Sequence, residues 1–201
     1  MKIAIIGYSG SGKSTLARKL GNYYNCNVLH LDSIHFAPNW EERKYDDMID
    51  DVSSMLERRT WIIEGNYKKL LYQERLADAD EIIFFDFNRF NCLWRAFKRY
   101  CKFRGKTRPD MANGCPEKLD FEFISWILKD GRSDKQKSNY KQVIENYPQK
   151  IKILKHQRDL EQYLKELPAL LHPIQTLSRA YNYYTDSIYS YISLYLFYSY
   201  S

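Results

Sequence analysis

Paired cysteines, long apolar runs and a motif that reads nucleic acid are all missing from this chain. Its four cysteines form no C-x-x-C pair. This spacing argues against a disulfide scaffold and against a lid held by zinc, and it favours reduced thiols. No apolar stretch has the length of a membrane-spanning helix, and the first one is too short for a signal peptide. The cytoplasm is therefore the expected location.

The excess of positive charge is small and scattered. A net charge of +6 over 201 residues comes with no motif that reads nucleic acid, so DNA or RNA is not the favoured substrate. A site for polyphosphate needs local positive charge in any case. Hydrophobic content of 44% and charged content of 28% are typical of a globular protein, and the length suits one α/β domain with an appendage.

Short apolar runs followed by helix-like stretches predict a parallel sheet with crossover helices. The runs occupy residues 3–6, 28–31, 61–63, 82–85 and 151–154, and the first precedes a predicted helix over 13–24. Three of them end in a carboxylate: Asp32, Glu64 and Asp86. Ligands of open parallel sheets bind beyond the carboxyl ends of the strands, so these acids are expected to border a site.

The stretch between the fourth and fifth runs is longer than a crossover requires. Its about 65 residues contain a basic helix candidate over 90–103, a turn-rich loop over 104–117 and two further helical stretches. We interpret this insertion as a mobile cover. A helix over 159–167 completes a domain of residues 1–167, and residues 168–201, with eight tyrosines and two charged groups, form an unassigned appendage.

The strongest motif lies directly after the first strand. The run GYSGSGKST fits G-x-x-x-x-G-K-[ST], the Walker A phosphate loop. Glycines let the backbone approach phosphate oxygens, and the following helix adds its positive N-terminal end. Lys13 is expected to reach the β- and γ-phosphates, and Ser14 to supply a hydroxyl to Mg²⁺. The predicted ATP-binding residues are Gly7, Ser9, Gly10, Ser11, Gly12, Lys13, Ser14 and Thr15.

Residues at the other strand ends are candidates for binding a phosphate acceptor. Asp32 follows the second strand, where it can orient an acceptor hydroxyl or cap the next helix. Glu64, Gly65 and Asn66 follow the third strand and offer hydrogen bonds, although an ordinary turn has the same composition. Asp86 is a candidate for the acid beside magnesium or for a helix cap.

Arginines are concentrated in the insertion, where they suit stabilisation of a migrating phosphoryl group or a solvated basic face. Arg95 and Arg99 lie four residues apart and are expected to share a helical face. The full set is Arg89, Arg95, Arg99, Arg104, Arg108 and Arg132. We expect at least one of them to contact phosphate.

Several of these motifs, taken in order, resemble one family. They are the phosphate loop, Leu-Asp followed by Pro-Asn-Trp, Glu-Gly-Asn, Asp-Phe-Asn-Arg, Arg-Pro-Asp-Met and Gly-Cys-Pro-Glu. Over residues 1–167 the chain is similar to bacterial DNA topology modulation proteins, relatives of adenylate kinase and shikimate kinase. The resemblance implies a three-layer α/β fold with strand order 2-3-1-4-5, a helical lid insertion, and Arg104 and Arg108 as lid arginines. The Asp-Gly-Phe-Pro-Arg segment of adenylate kinases is missing, so AMP is not assumed as acceptor.

Two functions follow from these observations. The first is a kinase that transfers the γ-phosphate of ATP, with Mg²⁺, to a small acceptor such as a nucleotide, a nucleoside or a hydroxylated metabolite. Lys13, Arg104 and Arg108 are its expected catalytic residues. The second is a nucleotide-dependent regulatory protein that affects DNA topology.

Overall fold

Five parallel strands form the centre of the structure, a computed structural model that describes residues 1–167. The strands are β1 (Lys2–Gly7), β2 (Val28–His30), β3 (Trp61–Glu64), β4 (Glu81–Phe85) and β5 (Ile151–Leu154). They lie in the order β2-β3-β1-β4-β5, and every pairing is parallel. The predicted α/β class and strand order are therefore confirmed.

Helices connect the strands and cover the sheet. They are α1 (Lys13–Tyr24), α2 (Leu31–His35), α3 (Tyr45–Leu56), α4 (Tyr72–Asp78), α5 (Arg89–Phe103), α6 (Phe121–Leu128), α7 (Asp134–Asn146) and α8 (Gln157–Glu166). Two short 3₁₀ turns lie at Pro38–Trp40 and Asp130–Arg132. The insertion between β4 and β5 contains α5, α6 and α7, as the length of that stretch predicted.

Burial is complete in the middle of the sheet and partial at one edge. All four residues of β3 are buried, as are those of β1 after Lys2, so both faces of these strands are covered. β5 differs, because Lys152 and Ile153 are exposed. The central strands are therefore covered on both faces, whereas this edge strand is not.

Helix starts follow local capping chemistry. α1 has the predicted bounds, and α5 begins one residue earlier than predicted because the Asn88 side chain accepts a hydrogen bond from the Phe90 amide at 2.9 Å. Asn88 therefore fills the capping role considered for Asp86. Asp32 lies inside the first turn of α2, and His30 occupies the cap position before it. The capping alternative is thus wrong for both aspartates.

The domain boundary, the membrane-spanning helices and the cysteines are the remaining features that the sequence addressed. Residues 168–201 lie outside the described residues, so the division at residue 167 stays a prediction. No helix within residues 1–167 is both long and apolar enough to cross a bilayer. Cys26, Cys92, Cys101 and Cys115 are free thiols, in agreement with the expectation from their spacing.

Candidate active site at the phosphate loop

The loop between β1 and α1 has a backbone that only glycine adopts without strain. Gly10 has φ +77° and Gly12 has φ +104°, both in the left-handed region. A Cβ on Gly10 would lie 2.6 Å from the Cys92 carbonyl oxygen, because the first turn of α5 packs against the loop. The glycines therefore allow both the turn and the close approach of α5.

The Tyr8 carbonyl organises the interior of the loop. It accepts hydrogen bonds from the Ser11 hydroxyl at 2.7 Å, the Ser11 amide at 3.3 Å and the Lys13 ammonium at 3.1 Å. Ser11 is fully buried. The lysine side chain thus folds back over the loop, and its charge lies at the beginning of the loop.

The first turn of α1 leaves amides available for a ligand. The first amides of an α-helix have no partner inside the helix. Within the described residues, no backbone carbonyl accepts from the amides of Lys13, Ser14 or Thr15. Together with the positive end of the helix dipole, these amides form an anion site of the kind that binds phosphate groups.

Glu64, at the end of β3, is the carboxylate that meets the loop. It is almost fully buried, accepts a 2.9 Å hydrogen bond from the Ser14 hydroxyl, and lies 3.9 Å from the Lys13 ammonium. The His30 ring nitrogen lies 3.2 Å away. Burial acts to raise the pKa of Glu64, but the contacts with His30, Lys13 and Ser14 outweigh burial and lower that pKa. Glu64 is therefore a charged carboxylate beside the Ser14 hydroxyl.

Gly65 and Asn66, predicted as acceptor contacts, join the loop to β3 in the observed geometry. The Asn66 amide donates to the Gly7 carbonyl at 2.6 Å and accepts from the Gly7 amide at 3.0 Å. The Gly65 amide donates to the Ile5 carbonyl at 3.0 Å. Asn66 thus fixes the start of the phosphate loop, a contact that the sequence did not indicate, and its role toward an acceptor stays a prediction.

Asp32 lies on the same edge of the sheet, half-buried in the first turn of α2. Its carboxylate accepts a hydrogen bond from the Tyr67 hydroxyl at 2.9 Å. Burial and the negative charge of Glu64 raise the pKa of Asp32, against the opposing effects of Lys13, the Tyr67 hydrogen bond and Arg108. The two carboxyl groups therefore differ: Glu64 holds its charge, and Asp32 takes up a proton more readily.

Arg75 on α4 is a supporting residue that the sequence analysis missed. Its side chain is completely buried and donates to the carbonyls of Leu70, Gly65 and Tyr67 at 2.8, 3.3 and 2.8 Å. These bonds fix the turn after β3 and with it the Tyr67 side chain. An arginine in a helix is usually exposed, and the sequence around Arg75 contains no signal of this role.

Two arginines of the insertion lie against the loop. Arg95 donates to the Ser11 carbonyl at 3.1 Å. Arg132 donates to the Phe87 carbonyl at 2.7 Å, and its guanidinium carbon lies 3.7 Å from the centre of the Tyr8 ring, within range of a cation–π interaction. Two separate parts of the insertion, α5 and the 3₁₀ turn before α7, therefore bring positive charge to the phosphate loop.

The predicted lid arginines, Arg104 and Arg108, have other contacts than Arg95 and Arg132. Arg108 is buried and forms ion pairs with Asp110 at 2.8 Å and Glu117 at 2.6 Å. Glu117 also pairs with Arg99 at 2.7 Å, so Arg95 and Arg99 have different partners. Arg104 is exposed, with its guanidinium 5.9 Å from the Tyr100 ring centre. The charge of Arg108 is thus already balanced, whereas that of Arg104 faces solvent.

The turn-rich segment 104–117 packs against the residues that follow α2. The Asn39 amide donates to the Gly114 carbonyl at 3.0 Å, and the Cys115 thiol donates to the Ala37 carbonyl at 3.2 Å. Arg108 acts electrostatically on Asp32. The segment therefore borders the Asp32 side of the site.

The strand order, the glycine loop and the helix that follows it define this chain as a protein of the P-loop NTPase fold. No family model matches the chain. It is similar to a gluconokinase from Arabidopsis thaliana, with 30% identity over 83 residues that make up 40% of this chain and 39% of the relative. The match thus spans about two fifths of that relative's length.

Two kinases are among the solved structures that a structural comparison matches to this chain. A gluconokinase from Sinorhizobium meliloti 1021 has 14% identity and a TM-score of 0.39, over 67% of this chain and 78% of that one. A deoxyadenosine kinase from M. mycoides with bound dATP has 15% identity and a TM-score of 0.46, over 84% of this chain and all of that one.

Proposed function

We propose that the protein is an ATP-dependent phosphotransferase that transfers the γ-phosphate of ATP to a small hydroxyl-bearing acceptor. One observation carries the proposal: the phosphate loop presents Lys13 and Ser14 to the buried Glu64 carboxylate, and a second carboxylate, Asp32, lies at the same sheet edge. A loop that binds anions, a carboxylate that stays charged (Glu64) and a carboxyl group with a raised pKa (Asp32) together suit phosphoryl transfer.

ATP is held by the loop in this proposal. The free amides of the first turn of α1 bind phosphate oxygens, and the Lys13 ammonium exchanges the Tyr8 carbonyl for the β- and γ-phosphates. The binding residues are those expected from the motif: Gly7, Ser9, Gly10, Ser11, Gly12, Lys13, Ser14 and Thr15.

Magnesium fits the pair formed by Ser14 and Glu64. A hydroxyl and a charged carboxylate 2.9 Å apart are hard oxygen donors, which Mg²⁺ prefers. Ser14 is the proposed ligand, and Glu64 holds the ion directly or through water. When bound, the ion neutralises charge on the β- and γ-phosphates.

Arginine charge completes the site. Arg95 and Arg132 already lie beside the loop, where they stabilise charge on the transferring group. Arg104, which directly follows α5, remains a candidate because it is exposed. Arg108, held by Glu117 and Asp110, contributes mainly by fixing the segment that covers the acceptor.

Asp32 is the proposed general base. As the acceptor oxygen attacks the γ-phosphorus and the bond to the β-phosphate oxygen breaks, the acceptor hydroxyl proton passes to the Asp32 carboxylate. The raised pKa of Asp32 makes its carboxylate a better proton acceptor than an ordinary aspartate. Glu64, Gly65 and Asn66 remain proposed contacts of the acceptor.

The acceptor class follows from this base and from the similarity to a gluconokinase. A carboxylate base serves an alcohol better than a phosphate, which needs no deprotonation, so hydroxylated metabolites and nucleosides are favoured over nucleotides. We place this activity in the cytoplasm, where thiols stay reduced.

The test is a screen for acceptor-dependent ADP formation across sugar acids, polyols, nucleosides and nucleoside monophosphates, with Mg·ATP. We expect one class to accelerate ADP release, and Lys13→Ala to abolish that acceleration while retaining the wild-type circular dichroism spectrum. A Lys13→Ala variant with wild-type turnover would refute the proposed role of the loop.

A second function is supported by the outer face of α5. Phe90, Trp94 and Phe97 are exposed there, Lys98 lies 5.5 Å from the Trp94 ring, and the helix contains no acidic residue. Aromatic and basic groups in this pattern suit DNA binding, in line with the resemblance to DNA topology modulation proteins. DNA affinity that falls steeply with salt supports this function, and no binding at low salt rejects it.

A further inference from the structure

An exposed tryptophan side chain meets the phosphate loop from the insertion. Trp126 on α6 is 50% exposed, although a large apolar side chain gains stability chiefly by burial. Its indole N–H donates to the Ser9 hydroxyl at 3.2 Å. The ring therefore lies at the site rather than in the core.

The point of contact is the end of the loop where a terminal phosphate binds. The lysine of such a loop reaches the β- and γ-phosphates, and the Lys13 ammonium lies 3.1 Å from the Tyr8 carbonyl oxygen. Ser9 follows Tyr8 directly in the chain. The Trp126 indole thus lies beside the position of the γ-phosphate rather than that of the α-phosphate.

The bend from α6 into the following 3₁₀ turn holds the indole in place. A Cβ on Gly131 would lie 2.8 Å from the Trp126 carbonyl oxygen and 3.0 Å from its indole nitrogen, so the ring position depends on glycine there. The Ser125 hydroxyl donates to the Asp130 carboxylate at 2.7 Å. Arg132, two residues later, lies over the Tyr8 ring. One bend therefore contacts two consecutive loop residues.

The chemistry of the indole indicates its ligand. An indole N–H only donates, and its present acceptor is a neutral hydroxyl. An oxygen of a phosphate group carries negative charge and forms a stronger, charge-assisted hydrogen bond. We propose that Trp126 donates its indole N–H to the γ-phosphate of the bound nucleoside triphosphate, and that its ring covers this phosphate against water. The inference rests on the proposed function.

Trp126→Phe tests the donor, because phenylalanine retains an aromatic ring and removes the N–H. Phe121→Leu is the control on the same helix, since Phe121 is 85% exposed and its side chain has no hydrogen-bond donor. Calorimetry with magnesium gives the Kd of each protein for ATP and for ADP. We expect Trp126→Phe to weaken ATP binding by about 10-fold, as for a lost hydrogen bond to a charged group, and to leave ADP binding unchanged.

A separate measurement tests whether the Trp126 ring shields the γ-phosphate from water. Once an acceptor is known, the ratio of ATP hydrolysis to phosphate transfer is expected to rise in Trp126→Ala and to stay at the wild-type value in Phe121→Ala. An unchanged ratio in Trp126→Ala overturns the covering role.

The outcomes separate this inference from the proposed function. If the wild-type protein binds ATP and Trp126→Phe keeps the wild-type ratio of ATP to ADP affinity, the inference is wrong and the proposed function stands. Equal losses of both affinities, with a lower melting temperature, indicate a purely structural role and also overturn it. If the wild-type protein binds neither nucleotide, the proposed function itself fails.

Discussion

Two carboxyl groups at one sheet edge differ in their contacts, and this difference is the reason for their different proposed roles. Glu64 is held charged by His30, Lys13 and Ser14, whereas Asp32 has its pKa raised by burial and by the charge of Glu64. Asp32→Asn therefore removes the proposed base without removing the Ser14 contact. We expect acceptor-dependent ADP formation to fall by about 100-fold or more, the usual effect of losing a general base.

The same variant has a predicted effect on stability. Because the pKa of Asp32 is raised by folding, ionising it opposes folding at pH values above the unfolded pKa, and the effect disappears below that pKa. Asp32→Asn should therefore raise the melting temperature at pH 7 and not at pH 3. Asp50→Asn, on the exposed face of α3, is the control. A lower melting temperature of Asp32→Asn at pH 7 would contradict the assignment.

Tyr67 is expected to set the pH range in which Asp32 acts as the proposed base. Its hydroxyl donates to the Asp32 carboxylate at 2.9 Å, which lowers the pKa of Asp32 relative to the same site without the bond. Tyr67→Phe should therefore move the acid limb of the kcat profile to higher pH. A profile that stays in place would show that Asp32 is not the group observed in kcat.

At the scale of elements, the turn between β3 and α4 depends on one buried side chain. Arg75 supplies hydrogen bonds to three carbonyls of that turn. Arg75→Met removes them together with a buried charge. We expect a loss of about 2–4 kcal/mol in the free energy of unfolding, from carbonyls left without donors, measured by urea denaturation. Arg59→Met, at an exposed position, should change it by less than about 0.5 kcal/mol.

The local stability of the insertion likewise depends on one buried side chain, that of Glu117. Its carboxylate pairs with both Arg99 and Arg108, and removing one member of a buried ion pair leaves charge without compensation. Glu117→Gln should speed hydrogen exchange in segment 104–117 while exchange in β1 and β4 keeps its wild-type rate. Equal acceleration in the central strands would instead indicate global unfolding.

For the whole molecule, the sequence predicted those features of the fold that depend on residues close together in the chain. The strand runs, the bounds of α1 and the phosphate loop follow from periodicity and from glycine spacing, and the structure places them where they were predicted. The strand order came from the resemblance. The edge character of β5 depends on neighbours in the sheet, which a single run of residues does not reveal.

The site was less predictable because its contacts join distant parts of the chain. Asn66 reaches Gly7 across 59 positions, and Trp126 reaches Ser9 across 117. Neither contact has a signal in the local sequence. The sequence shows that arginines are concentrated in the insertion, but it does not show which of them contact the loop. Arg95 and Arg132 do so, whereas Arg108 is neutralised by Asp110 and Glu117.

The central claim, that the loop from Gly7 to Thr15 binds a nucleoside triphosphate, is tested most directly by calorimetry with magnesium and ATP. We expect wild-type protein to bind one ATP per chain. Gly10→Ala should bind at least about 10-fold more weakly, since a Cβ there meets the Cys92 carbonyl and the loop leaves its required backbone angles. Absence of binding heat for wild-type protein at millimolar ATP, or equal affinity of the two proteins, would contradict the account.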